Sequence, residues 1–212
     1  MSHAAFYPLR TTHLLAALLA KENPMSVLKI THLVYHIDRD SLRRHNAPVT
    51  WDVYVPDLRL GPVPMQLSGL LSGMAGEQSR LLYQWFDLRG DSLGLKSGRT
   101  YPQLDQLSDA DDLVIDSIWN RFGRMRLEDF VDHTRRFCPE LAGGESERRQ
   151  VREEDIFRAV GLSASAAAAA ASELHAQRYI DFMFEKMEIA KWAPTCDKND
   201  LPPQQTRASP GR

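Results

Sequence analysis

Apolar residues first recur along the chain with helical spacing. Thr11 or Thr12 is placed to cap a helix through LLAALLA that runs to about Lys21, where Asn23-Pro24 stops it. Ser26 caps a second helix, in which Val27, Ile30, Val34 and Ile37 return every three or four residues and Leu33 widens the stripe. His45-Asn46 ends it, since asparagine accepts the left-handed conformation. The period then changes. Residues 49–55 (VTWDVYV) are rich in β-branched and aromatic side chains and predict a strand. The next run, LRLGPVPMQL, cannot lie inside a helix or a central strand, because each proline lacks an N–H and fixes φ. It predicts a corner, with Gly61 and Val63 extended before their prolines. Pro64 then opens a short helix on Leu67, Leu70, Leu71 and Met74, which Gly73 and Gly76 end.

Residues 81–88 (LLYQWFDL) and 92–96 (SLGLK) flank Arg89-Gly90-Asp91 and predict a β-hairpin. With the earlier strands it would form one small sheet. Ser108 and Asp111 match a capping box. Val114, Ile118 and Phe122 give the following helix its apolar stripe, and Gly123 is placed to close it as the C′ residue. A second helix over about 127–136 buries Leu127, Phe130 and Val131, and Pro139 closes it. The polar stretch 140–149 reads as a linker. A helix near 153–160 ends at Gly161, and the alanine-rich run 163–192 predicts a long helix. The expected fold is mainly α (α+β). A helical domain with a small antiparallel sheet or hairpin spans 1–139, and a helical C-terminal extension spans 140–192, packed on that domain or on a partner. A disordered tail spans 193–212.

Composition narrows the function classes. The 212 residues carry a net charge of −2, so no global basic field attracts nucleic acid or anionic lipid. Cys138 and Cys196 are the two cysteines, far apart and outside any CxxC pair, which suits a reducing compartment. LLAALLA is far shorter than the roughly 20 residues of a membrane span and lacks the flanks of a secretory signal. The expectation is a cytoplasmic protein with no membrane partner.

Candidate chemistry is sparse. His32 and His36 share a helix face, but HLVYH lacks the glutamate of HExxH and no third ligand is marked, so the pair reads as two half-buried histidines. No nucleophile elbow, phosphate loop or dinucleotide fingerprint is present. The helix–turn–helix-like segment 109–136 offers an alternative reading as a DNA-binding transcriptional regulator. Its second helix begins LEDFVD, with acids where phosphate contacts belong, so two packed helices is the plainer reading. Trp51, Tyr83 and Trp85 concentrate in the predicted sheet. A small sheet needs only one face for the core, so these three are candidate partner-binding residues unless all are core.

In their order along the chain these pieces resemble the Panacea domain of SocA-like antitoxins, also found in phage-associated proteins. Leu33, Val34, Tyr35 and Asp38 match the family's KLLYLAD-type helix end, and Pro48 and Tyr54 match its next segment. Gly61, Pro62, Val63 and Pro64 match its GPV corner, and Leu107, Ser108, Phe122 and Gly123 match its late helix. The resemblance covers about residues 10–137. It departs at His32, where the family has lysine, at Asn46, where it has glycine, and at His133-Thr134, which reverses a Thr-His. The resemblance implies a non-enzymatic bacterial antitoxin with no cofactor, metal or catalytic residue. Such a protein binds a cognate toxin and blocks it, or presents it to a protease or unfoldase. Tyr35, Asp38, Pro48, Tyr54, Gly61, Pro62 and Val63 are then structural or partner-binding positions.

Overall fold

The computed structural model describes residues 6–57, 59–99, 101, 105–142 and 149–192, with side chains through Arg178. Helix α1 (Pro8–Lys21) is buried on almost every side, from Leu9 to Leu19. A helix buried on nearly every side belongs in the middle of a core: α1 packs against α4 (Glu77–Trp85) and α5 (Asp109–Phe122), and α2 (Val27–His45) packs on α5 in turn. It begins earlier than the Thr11 or Thr12 cap predicts: Pro8 takes the first turn, where a missing N–H costs nothing, and the Thr12 hydroxyl donates to the Pro8 carbonyl (2.7 Å). Helix α2 begins and ends where its signals put it. The Ser26 side chain accepts from the Lys29 N–H, and Asn46 closes the helix at φ 55°.

The predicted strand over 49–55 is only partly a strand. Two aspartates take the backbone N–H groups that a ladder would need. Asp38 accepts from Val49 and Thr50, and Asp52 accepts from Val53, so pairing starts only at Tyr54. β2 (Tyr54–Asp57) then pairs antiparallel with β3 (Gly61–Pro64). GPVP is therefore itself a strand, and the corner lies before it, where the Asp57 carboxylate accepts from the Arg59 and Leu60 N–H groups. The register explains how a ladder tolerates three prolines. Pro56 faces Pro62, and Pro64 faces Tyr54. These are the pairs whose backbone groups point outward, so no ladder donor is lost. Consistent with that parity, Met65 N–H donates to the Val53 carbonyl and the outward Tyr54 carbonyl accepts from Val151.

Helix α3 (Met65–Leu71) follows directly. Residues 81–85, expected as strand, instead form the end of α4; Leu81, Leu82 and Trp85 are buried as a helix stripe, which a short apolar run does not distinguish from a strand. The hairpin survives in its second half as β4 (Phe86–Arg89) and β5 (Ser92–Leu95), turning at Gly90 with φ 63°. β1 (Met25–Ser26) adds to β5. The strands thus form two small sheets rather than one.

Ser108 and Asp111 complete the capping box of α5. Gly123 closes that helix where the sequence puts its end, in the right-handed region. Its requirement is steric: a Cβ there would run into the Trp119 ring. α6 (Leu127–Phe137) leads into a single 3₁₀ turn (Pro139–Leu141), and α7 (Glu153–Ala159) and α8 (Ala164–Trp192) follow. The middle of the linker stretch and the tail from Ala193 lie outside the described residues. The architecture is mainly α with a small antiparallel β part. No helix among the described residues is long and apolar enough to cross a membrane.

Candidate functional site

The signature residues converge on the C-terminal half of α2. Asp38 is 1% exposed and accepts four hydrogen bonds: from Val49 N–H (2.8 Å), Thr50 N–H (2.9 Å), the Thr50 hydroxyl and the Tyr54 hydroxyl (2.7 Å). Burial raises its pKa and these bonds oppose the rise. Asp52 repeats the device one step further on. It accepts from Val53 (2.7 Å), Gln66 (2.8 Å) and Leu67 (2.9 Å), which ties the loop to the start of α3. Burial pushes Asp52 up to about 7. Two carboxylates thus shape the whole loop from Val49 to Tyr54.

Tyr35 extends this centre outward. Its ring meets Tyr54 edge-on at 5.0 Å, and its hydroxyl donates to Glu140 (2.6 Å). Arg39 donates to the same carboxylate oxygen (2.6 Å), and the Glu140 side chain is fully buried. The chain leaving α6 is thereby latched to α2. Beside it, burial pushes the Cys138 thiol up to about 12, so it is an inert core group.

One turn earlier on α2, His32 holds the proline strand. Its Nε2 lies 3.0 Å from the Leu60 carbonyl, which only accepts, so this nitrogen carries the proton. Burial brings His32 down to about 4, so the ring is neutral. The Thr134 hydroxyl donates to the Phe130 carbonyl (3.0 Å), and its oxygen lies 3.1 Å from His32 Nδ1 and 2.9 Å from His36 Nε2. Gly61 lies against this ring with φ 74°; a Cβ would come 2.7 Å from His32 Cε1. Sequence reading weighed His32 only as half of a pair with His36 and noted it and Thr134 as departures from the family pattern, without joining the two. Only the GPVP run hinted that something must lie close against a glycine.

His32 makes a measurable pH signature. Its folded pKa lies below its unfolded one, so the folded state binds fewer protons between about pH 4 and 6.5. The stability it contributes is complete above about pH 6.5 and is lost as pH falls toward 4. His36 and His13, also lowered by burial, act in the same direction, whereas the raised Asp52 acts in the opposite one. A His32→Gln variant isolates the one group. Between pH 7 and 5 the wild type should lose about 2 kcal/mol more stability than the variant, read by urea unfolding at each pH. Parallel losses in the two proteins would contradict the neutral, buried imidazole.

The remaining signature positions are also largely enclosed. Pro48, Gly61 and Pro62 are buried and Val63 is half-buried. The three aromatics expected on an open sheet face are core residues, with Trp51 1%, Tyr83 4% and Trp85 3% exposed. That expectation is corrected for a physical reason: Tyr83 and Trp85 lie on α4 rather than on a strand, and the Tyr83 hydroxyl donates to the Leu71 carbonyl inside the core. Trp51, at φ 60°, leaves the main core and fills a second cluster with Ile156, Phe157, Ala167, Ala171 and Leu174. Arg178 lies over its ring at 5.4 Å and pairs with Glu153 (2.8 Å). Trp51 is thus the residue that docks α7 and α8 on the loop shaped by Asp38.

Between that loop and α7–α8 lies a cavity of about 910 Å³. Asp38, Asp52, Tyr54 and Met65 line one side, and Glu153, Ala168, Ala171 and Arg178 line the other. Asp38 and Asp52 are occupied by internal bonds, so this is a recess bordered by a rigid polar scaffold.

A family model described as antitoxin SocA-like, Panacea domain, matches residues 30–139. No curated protein and no solved structure matches the chain. The matched span runs from Ile30 on α2 through the Asp38 loop, the GPVP strand and α6 to Pro139, which is more than half of the sequence. It contains every signature residue described above and ends one residue before Glu140. The chain belongs to the family of SocA-like antitoxins built on the Panacea domain.

Proposed function

We propose that the protein is the antitoxin of a toxin–antitoxin pair and neutralises its cognate toxin by direct protein–protein contact. Membership of the antitoxin family over residues 30–139 carries this reading. The geometry supports it in one respect. Asp38, Tyr35, Tyr54, His32, His36 and Thr134 make their hydrogen bonds with one another, with the Thr50 and Glu140 side chains or with backbone groups. The signature acts as a scaffold that presents a surface, and recognition falls to the residues it displays.

The test is co-expression with the product of the neighbouring gene. The expected result is relief of that product's toxicity and a complex that survives tandem affinity purification. An adaptor that hands the toxin to a protease would instead lower the toxin level in cells and fail to protect in a strain lacking the protease. Unrelieved toxicity together with no complex would contradict the proposal.

A further inference from the structure

We propose that the cavity between the Asp38–Asp52 loop and α7–α8 receives an extended, lysine- or arginine-bearing segment of the toxin. The inference rests on the antitoxin reading and names the site and partner chemistry behind it. At about 910 Å³ the cavity stands at the upper end of the range that encloses a ligand.

Its lining matches a peptide in three respects. First, the side-chain amides of Gln66, Gln78 and Gln150 line it and make no hydrogen bond among the described residues. Each presents the donors and acceptor that a peptide group pairs with, whatever the side chain that follows. Arg178 adds a buried Nε–H without an acceptor, suited to a peptide carbonyl. Second, the charge is acidic. Asp38, Asp52, Glu153 and Glu154 line the cavity against Arg152, Arg178 and His175, the last 3.9 Å from Glu153. Both arginines are committed, Arg152 to Asp155 and Arg178 to Glu153, and the two aspartates are saturated by internal donors. Glu154 makes no ion pair among the described residues, so the free charge is a carboxylate and its complement is a basic side chain. Third, Met65 is 47% exposed where it lines the cavity, and Ile156 and Ala171 add apolar lining. An unbranched thioether adapts to varied apolar side chains.

The experiment compares wild type with Ala168→Trp, which fills the cavity from an exposed position on α8, and with Glu154→Lys, which reverses its free charge. Each purified protein is titrated with the purified product of the neighbouring gene. Short synthetic peptides tiling that product are then tested as competitors. The expected result is a rise in Kd of about tenfold or more for both variants at unchanged melting temperature. A lysine- or arginine-bearing peptide should compete, and more weakly at higher salt. If Ala168→Trp fails to fold, Glu154→Lys and Gln150→Ala carry the test. Toxin bound equally by wild type and variants would overturn the cavity assignment and leave the antitoxin reading intact. Weakened toxin binding without any competing basic peptide would overturn the assignment of a peptide. A wild type that neither binds nor protects would overturn the antitoxin reading, and this inference with it.

Discussion

Replacing Asp38 by alanine should lower the urea midpoint of unfolding by roughly 1–2 M, a loss of about 3–5 kcal/mol. The carboxylate is the common acceptor for four donors from the loop it faces: Val49 N–H, Thr50 N–H, the Thr50 hydroxyl and the Tyr54 hydroxyl. Alanine leaves all of them without a partner in a buried site, and each buried unsatisfied polar group costs about 1–3 kcal/mol. Partial relaxation of the loop toward water keeps the total below the sum. Asp38→Asn separates charge from shape. It keeps the volume, but its NH₂ turns a donor toward donors, so it should recover only part of the loss. Tyr54→Phe removes one donor and its bond together and should cost about 1 kcal/mol. Alanine and phenylalanine variants of equal stability would mean that Asp38 does not organise the loop.

Trp51→Ala should cost about 3–5 kcal/mol, concentrated at the C-terminal helices. The ring is 1% exposed and fills the cluster that joins the loop to α7 and α8. Its removal opens a cavity in that cluster and withdraws the aromatic face beneath Arg178. It does not relieve the backbone, because alanine is as ill suited as tryptophan to φ 60°. Hydrogen exchange gives the readout. Amides of α7 and the first turns of α8 should lose protection while those of α1 and α5, packed in the other cluster, keep theirs. Loss of protection spread evenly over the chain would contradict a separate docking role.

Three helix ends were legible in the sequence because their signals are local. Ser26, Asn46 and the Ser108–Asp111 box act within a turn of where they stand, and each acts as read. The signature order was legible as well, since GPVP followed by a leucine-rich helix is an uncommon string. What sequence reading missed was decided across the chain. The VTWDVYV run has strand composition, yet Asp38, eleven residues away from Val49, takes its backbone donors. The Leu81–Trp85 end of α4 is helical because α1 and α3 flank it, and nothing in a five-residue apolar run announces that. The prolines suggested a corner, whereas the register turns their missing N–H groups outward and leaves a strand.

The same distinction separates the scaffold from the binding surface. Tyr35, Asp38 and Tyr54 are identifiable from sequence as a motif, but only the fold shows that they are consumed in one buried network. Trp51, Tyr83 and Trp85 read as a binding face until burial places them in the core. The His32–Thr134 pair was invisible for a different reason. It joins α2 to α6 across a separation of 102 residues, and neither member belongs to a chemical motif.

We propose that an internally hydrogen-bonded scaffold neutralises a toxin by contact alone. The most direct measurement titrates the purified chain into the purified product of the neighbouring gene, with no protease present, and follows the toxin's activity. Neutralisation by contact predicts saturable inhibition that reaches completion at a fixed stoichiometry. Full toxin activity at saturating antitoxin would contradict it.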